Sequence, residues 1–329
     1  MVSFATECSG GEYTGMSRTI VIVGPTAGGK TSLSIDLAPR LGGAEIVSAD
    51  SMQVYRGMDV GTAKPSANER RGIRHHMLDV ADPHEGEFTL AQWLRGARDA
   101  ITAIHARGAA AIVVGGTSLY ARALLEGIAE VPRAQAELRA KLEALPQVDA
   151  RSRLESIDPE SASRIHANDR RRTLRALELH AMTGRPASAI RTQWSDSPAA
   201  LAPGVCLVGL RWEVDAINRR INERVKRMFE RGLVEEVRTL LAKGPLTRQA
   251  IAAVGYREVS AHLQGQTSLE HSIEQTKIRS RRLGKQQRTW MRRFGLIPGS
   301  LWLDGSRPTE DLAEELAESE VIGRSEHSP

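Results

Sequence analysis

Through the first third of the chain, short unbroken apolar runs alternate with segments of helical spacing. TIVIV (19–23), AEIVSA (44–49), HHMLDV (75–80) and AAIVVG (110–115) have the length and apolar character of strands buried on both faces. The first run is followed closely by SLSIDLAPRL (32–41), an amphipathic segment. Between the third and fourth runs, Leu90, Leu94, Ala97, Ile101 and Ile104 recur at helical spacing and predict a crossover helix over 89–106. Apolar strands alternating with helices predict a parallel sheet covered on both faces. VCLVGLRW (205–212) and LWLD (301–304) predict two further strands much later in the chain.

The pattern changes over 125–200. No strand is visible there, Arg, Ala and Glu are abundant, and helical periodicity is present near 134–145 and 168–183. This stretch reads as a helical insertion. A long helix around 214–242 and a basic helix around 269–293 follow the late strand.

The stretch GPTAGGKT, Gly24 to Thr31, joins the first strand to the first amphipathic segment and fits G-x-x-x-x-G-K-[ST], a loop that wraps phosphate. Gly24, Gly28 and Gly29 let backbone N–H groups turn inward around an anion, with Pro25, Thr26 and Ala27 completing the turn. Lys30 reaches the outer phosphate and Thr31 offers a hydroxyl to Mg²⁺. The expected fold is therefore α/β: a P-loop parallel-sheet core over 17–124 and 201–322, and a mostly helical insertion domain over 125–200. A disordered leader (1–16) and a frayed tail (323–329) flank it.

Composition narrows the class. The 329 residues are 41% hydrophobic, enough for a proper core, but only 4% aromatic, so any base-stacking platform is small. Cys8 and Cys206 stand far apart without a pairing pattern, which suits a reducing compartment. No apolar run approaches the ~18 residues of a membrane span, and the first fifteen residues lack the features of a signal peptide, with Met16 a second candidate start. The expectation is a cytoplasmic protein.

A net charge of +5 and a pI near 9.5 hint at a polyanionic partner, and the distribution says more. Basic residues cluster at 69–76, 168–175, 219–227 and 277–293. Such runs commonly form solvated helix faces. In the last, however, Arg281, Lys285, Arg288 and Arg292 repeat at helical spacing and predict one stripe fit to follow a phosphate backbone.

An NTPase or kinase ordinarily places an acid at the end of a second buried strand to position Mg²⁺. Here AAIVVG runs on into Gly115-Gly116-Thr117, and the acid at a strand end is Asp50, in AEIVSAD. Strand C-termini of a parallel sheet share one crevice, so Asp50 belongs beside the phosphate loop. Two roles remain open from the residues alone: positioning Mg²⁺ or serving as a general base. His75 and His76 suggest paired metal ligands, but neighbours on a strand point to opposite faces and no third ligand accompanies them. No structural zinc is expected.

GPTAGGKT, ADSMQVYRGMDVGTAKP (49–65), HHMLDV, VVGGTSLYARALLEG (113–127), RIHANDRRRTLRALE (164–178) and VGYRE (254–258), in this order, resemble the tRNA dimethylallyltransferase family, also called tRNA isopentenyltransferases. The resemblance runs from about Thr19 to Trp302. It implies that the loop holds a leaving diphosphate, and that a dimethylallyl group moves from dimethylallyl diphosphate to the exocyclic amine of the adenosine just 3′ of the anticodon. On that pattern Asp50 is the general base, Lys30, Thr31 and Arg224 act on the diphosphate, and Mg²⁺ is bound at Thr31. Asp50, Ser51, Met52, Gln53, Thr117, Arg139, Arg171, Arg172, Thr173, Leu174 and Arg175 contact tRNA. So do Ala252, Ala253, Val254, Gly255, Tyr256 and Arg257, although Ala252 stands where some relatives carry arginine. Lys64 is a candidate helper at phosphate, and a monomer suffices for every contact. The rival readings are an ATP-dependent small-molecule or nucleoside kinase and a non-catalytic RNA-binding NTP switch.

Overall fold

The computed structural model describes residues 18–129, 131, 135–190, 200–319 and 322, so the expected leader and tail, with Cys8, lie outside the described residues. Six strands form one sheet: β1 (Thr19–Val23), β2 (Glu45–Ser48), β3 (His75–His76), β4 (Ala111–Val114), β5 (Val205–Arg211) and β6 (Leu301–Asp304). Their order is β3-β2-β4-β1-β5-β6 and every pairing is parallel. β1 lies between β4 and β5, with Val21 level with Val113 and Leu207, and all five of its residues are buried. The continuous apolar runs are the consequence: a strand covered on both faces has no polar side to show.

Helices supply the cover. Lys30–Arg40 buries Leu33, Ile35 and Leu37 among Ile20, Ile22, Ile112 and Val208. Leu90–Ala106 buries Trp93, Leu94, Ala97, Ile101 and Ile104, and its start is fixed by Thr89 and Gln92 in a reciprocal capping box. Sequence spacing had not pointed to the last helix, Thr309–Glu318, which adds Leu312, Ala313 and Leu316 to the same core. Thr309 Oγ1 donates to buried Asp36 Oδ2 at 2.6 Å and ties this helix to the one leaving the phosphate loop.

Two expectations need correction. HHMLDV pairs only through His75 and His76, because Met77 and Asp79 adopt positive φ (62° and 57°) and take the chain out of extended geometry. The segment expected as one helix over 214–242 is two, Val214–Glu230 and Leu233–Lys243, separated where Gly232 turns left-handed at φ 93°.

Of the described residues, those from Glu126 to Ile190 form one compact unit and all others a second. The smaller unit consists of the helices Ala136–Glu143, Gln147–Ile157, Pro159–Arg164, Arg170–Thr183 and Ala187–Ile190. They enclose a core of Leu142, Leu154, Ile165, Leu177 and Leu179. Asp158 holds it together by accepting from Ser161 N–H at 3.0 Å, Ser188 N–H at 2.9 Å and Ser188 Oγ at 2.7 Å.

Candidate active site

The phosphate loop leaves β1 and turns through two left-handed residues, Ala27 (φ 60°) and Gly29 (φ 86°). Two of its carbonyls are held by side chains from much later in the chain. Arg220 Nε donates to Ala27 O at 3.0 Å and Trp212 Nε1 donates to Gly28 O at 3.2 Å, while the Arg220 guanidinium stacks 4.8 Å over the Trp212 ring. Thr26 N–H donates to Gln287 Oε1 and Gly28 N–H to Pro25 O, so the remaining loop N–H groups and the N-terminus of the helix Lys30–Arg40 are the donors available to an anion.

Lys30 is buried at 9% exposure and its Nζ folds back onto Gly24 O (3.0 Å) and Pro25 O (2.8 Å). Burial pulls its pKa down to about 7, Arg224 pushes it the same way, and Asp50 opposes both. An anion in the loop reverses that balance, so binding must draw a proton onto Lys30 wherever the free amine is neutral. Inorganic pyrophosphate should therefore bind the wild type with more proton uptake at pH 8 than the Lys30→Met variant. Calorimetry in buffers of differing ionisation enthalpy measures this, and equal uptake by the two proteins would contradict it.

Arg224, on the helix Val214–Glu230, sends Nη2 to Thr62 O at 3.2 Å, while its Nε is buried with no hydrogen-bond partner among the described residues. Burial lowers its pKa, Asp50 works against that, and Arg227 adds to the lowering. A buried guanidinium nitrogen without an acceptor is costly, and an anion placed beside it would supply one.

Asp50 sits just past β2. Its Oδ1 accepts from the N–H groups of Met52 (2.9 Å) and Gln53 (3.4 Å), which fixes the carboxylate, while Oδ2 has no partner among the described residues. Asp50 favours the charged form of both buried Lys30 and half-buried Arg224, which puts this oriented acid within electrostatic range of the two cations. Thr117, past β4, accepts from Ser51 N–H at 2.9 Å and donates to Ser51 Oγ at 3.2 Å, so its hydroxyl joins the two strand ends instead of capping its own helix. Trp93 lies beneath, stacked on Tyr120 at 4.3 Å, with Nε1 donating to Ser48 O at 2.9 Å. Gln53 turns into its own loop, its Nε2 reaching Thr62 O at 3.3 Å and Ala63 O at 3.4 Å, whereas Ser51 and Met52 stay half-buried.

The glycines past β4 also bear on why no acid stands where a kinase would place one. A Cβ on Gly115 would lie 2.1 Å from Ala49 O, and one on Gly116 would lie 2.5 Å from Gln287 Nε2. Backbone blocks any side chain at Gly115, whereas one at Gly116 would have to displace the Gln287 carboxamide, and the acid that the sequence places at this edge is Asp50.

Other sequence-derived candidates divide by burial. Tyr256 is fully buried and its OH donates to Glu236 Oε1 at 2.6 Å. Glu236 in turn accepts from the N–H groups of Asp59 (2.9 Å), Val60 (2.6 Å) and Gly61 (3.1 Å). The VGYR segment thus anchors the loop after Asp50 from within, Ala253 and Gly255 are buried with it, Val254 is half-buried, and Ala252 and Arg257 are exposed. Lys64 is not available as a phosphate helper: only 3% of its side chain is exposed, and its Nζ is held by Asp79 (2.5 Å), Asp59 (2.6 Å) and Tyr55 O (2.8 Å). His76 Nε2 pairs with Glu45 at 2.6 Å, and no cluster of three metal-ligating side chains exists among the described residues.

In the helical unit Arg139, Arg171 and Arg172 are exposed, Leu174 and Arg175 are half-buried, and Thr173 is fully buried. Arg175 is engaged with Glu178 at 2.5 Å and Arg172 with Asp169 at 2.8 Å. On the helix Leu269–Phe294, Arg281 binds Asn222 Oδ1 at 2.6 Å. Lys285 and Arg292 face solvent, and half-buried Arg288 has an Nη1 without a partner among the described residues. Sequence reasoning missed Glu236 and Gln287. Gln287 is 5% exposed and lies on the buried face of the basic helix, one position from the stripe that drew attention.

The family model described as IPP transferase matches residues 53–294. A "tRNA dimethylallyltransferase 1" from Citrifermentans bemidjiense is 45% identical over 87% of this chain and 92% of its own length. A "tRNA dimethylallyltransferase" from Geobacter metallireducens is also 45% identical, over 88% of this chain and 93% of its own. Among solved structures, the tRNA isopentenylpyrophosphate transferase of Bacillus halodurans superposes with a TM-score of 0.65 at 38% identity, covering 91% of this chain and 94% of that one. A eukaryotic dimethylallyltransferase captured acting on tRNA gives 0.74 at 29% identity, covering 88% and 74%.

Proposed function

The chain belongs to the IPP transferase family of tRNA dimethylallyltransferases, and from that premise we propose that it moves a dimethylallyl group from dimethylallyl diphosphate to the exocyclic amine of the adenosine 3′-adjacent to the anticodon. The observation that carries the reading is Asp50: a carboxylate with one oxygen pinned by backbone and the other unpartnered, within electrostatic reach of Lys30 and Arg224.

The chemistry matches this set. An adenine amine is a weak nucleophile because its lone pair is delocalised, and an allylic carbon compensates by bearing positive charge as its diphosphate departs. The C–O bond to diphosphate breaks, a C–N bond forms, and the amine proton passes to Asp50 Oδ2. Loop N–H groups, Lys30 and Arg224 take the charge on the leaving diphosphate, and one well-placed donor of this type contributes about 3–4 kcal/mol. Asp50 removes the proton that otherwise accumulates on nitrogen.

Mg²⁺ fits the donor set. This cation is characteristically held by one or two protein oxygens plus phosphates, and Thr31, half-exposed at the first turn of the loop helix, supplies one hydroxyl. When bound there, it would neutralise charge on the diphosphate.

The target adenosine must leave its stack to reach Asp50, at a cost of about a few kcal/mol that a loop lowers. Exposed Arg139, Arg171, Arg172, Arg257, Lys285 and Arg292, with Arg288, are the side chains we assign to the anticodon stem-loop. Replacing Arg288 and Arg292 together by alanine should reduce the slope of log affinity for tRNA against log salt by about 1.4–1.8. An unchanged slope would place the RNA elsewhere. No described helix is long and apolar enough to cross a membrane; we place the enzyme in the cytoplasm, acting as a monomer.

The direct test supplies unmodified tRNA with either labelled dimethylallyl diphosphate or γ-labelled ATP. Label entering tRNA from the allylic donor alone supports the reading. Transfer from ATP alone would return the loop to kinase chemistry.

A further inference from the structure

The structure assigns to Gln287 a positioning role in prenyl transfer: its single carboxamide joins the diphosphate cradle to the strand end that presents the acceptor side of the site. This rests on the reading above. Oε1 accepts from Thr26 N–H, inside the phosphate loop, at 2.7 Å. Nε2 donates to Gly116 O, just past β4, at 2.8 Å. The two partners fix the orientation of the amide, since a backbone N–H can only donate and a carbonyl can only accept.

The bond to Gly116 reaches further than one residue. Thr117 follows directly; its N–H donates to Ala49 O at 3.2 Å and its Oγ1 accepts from Ser51 N–H at 2.9 Å. Those two contacts bracket Asp50. A short path of hydrogen bonds therefore runs from Thr26 through Gln287, Gly116 and Thr117 to the residues on either side of the proposed base. At the other end, Thr26 lies four residues before Lys30 in the loop.

The packing around the carboxamide is close. Gln287 is 5% exposed, and a Cβ on Gly116 would lie 2.5 Å from its Nε2. A buried amide that has both of its functional atoms satisfied by backbone, one from each side of the crevice, is a spacer set at a fixed length. Displacement of reacting atoms by about 1 Å costs on the order of 10²-fold in rate, because the attack geometry is lost even when both substrates stay bound. Gln287 also stands on the helix whose outer stripe carries Lys285, Arg288 and Arg292. Any RNA gripped by that stripe is thereby attached, through one side chain, to the loop that holds the donor.

Gln287→Leu keeps the size and removes both bonds. Gln287→Glu can still accept from Thr26 N–H, but it donates to Gly116 O only when protonated. Single-turnover transfer by Gln287→Leu should fall about 10–100-fold, with dissociation constants for tRNA and for inorganic pyrophosphate within about threefold of wild type and faster hydrogen exchange at the Thr26 amide. Gln287→Glu should regain rate as pH falls, relative to wild type at each pH, whereas Gln287→Leu should not. That acid-dependent recovery is a signature that lost packing alone does not produce.

The assignment is overturned if Gln287→Leu transfers at the wild-type rate, or if its whole loss is accounted for by weaker tRNA binding. It is overturned equally if Thr26 exchanges no faster and Gln287→Glu shows no acid recovery. Should Gln287→Leu not fold, the pH profile and amide exchange of Gln287→Glu decide alone. Failure of the underlying reading is separable: wild-type enzyme would then move no allylic label to tRNA, while the Thr26 exchange measurement would still report on the clamp.

Discussion

Asp50→Asn lowers single-turnover prenyl transfer by about 10²–10⁴-fold, the range spanned by removing a positioned general base, while tRNA binds with nearly wild-type affinity. Asparagine is the informative replacement because its side-chain oxygen still accepts from the Met52 and Gln53 N–H groups that hold Asp50 Oδ1. The turn after β2 survives, and the loss reports the missing proton acceptor at Oδ2. Asp50→Ala should lose at least as much, with some local loosening because two N–H groups lose their acceptor. Near wild-type turnover in Asp50→Asn would remove the general-base assignment and leave Asp50 as a structural turn residue.

Lys30→Met produces the second large effect, and it has two signs. Transfer should fall by about 10²–10³-fold, since a charged donor to the leaving diphosphate is gone. The folded protein should become more stable at neutral pH. In the folded state Lys30 is pulled down to about 7 from 10.5, so below pH 7 the fold bears the full cost of burying its charge, and that cost fades as pH rises toward 10.5. Removing the amine therefore raises Tm most near pH 6–7 and progressively less above it, the gain being on the order of a few kcal/mol at its largest. Thermal melts of both proteins across this pH range give the comparison. A Lys30→Met variant with lower Tm at pH 6.5 would contradict the burial argument even if activity were lost.

These effects rest on an architecture that the sequence shows unevenly. Strands buried on both faces are written as uninterrupted apolar runs, so β1, β2, β4 and β5 were legible, as was the loop at the end of β1, while the partly buried edge strand β6 showed as the short run LWLD. Asp50 could be placed near that loop by a topological rule alone, because parallel strands send their C-terminal ends to one crevice. Local pattern misled where a single residue's backbone decided the outcome. Met77 and Asp79 at positive φ cut β3 to two residues, and Gly232 divided a helix whose apolar spacing runs through it.

The supports of the site were invisible for a different reason. Gln287 meets Thr26 across 261 positions, and Glu236 meets Asp59, Val60 and Gly61 across 175 to 177. A glutamine on the inner face of a basic helix carries no local sign of such a partner. The same holds for Tyr256: the family resemblance marked its segment for RNA contact, and the fold shows its ring buried and its hydroxyl bound to Glu236. Lys64 makes the same point, since a basic residue in a polar loop reads as free until Asp59 and Asp79 are found around it.

The most direct test of the account is a crystal structure of the chain with an anticodon stem-loop and the thiodiphosphate analogue of the allylic donor. The account predicts the diphosphate group inside Gly24–Thr31 within reach of Lys30 and Arg224, and an extruded adenosine whose exocyclic nitrogen lies within hydrogen-bonding distance of Asp50 Oδ2. A diphosphate bound outside that loop, or an extruded base with Asp50 turned away from its amine, would contradict it.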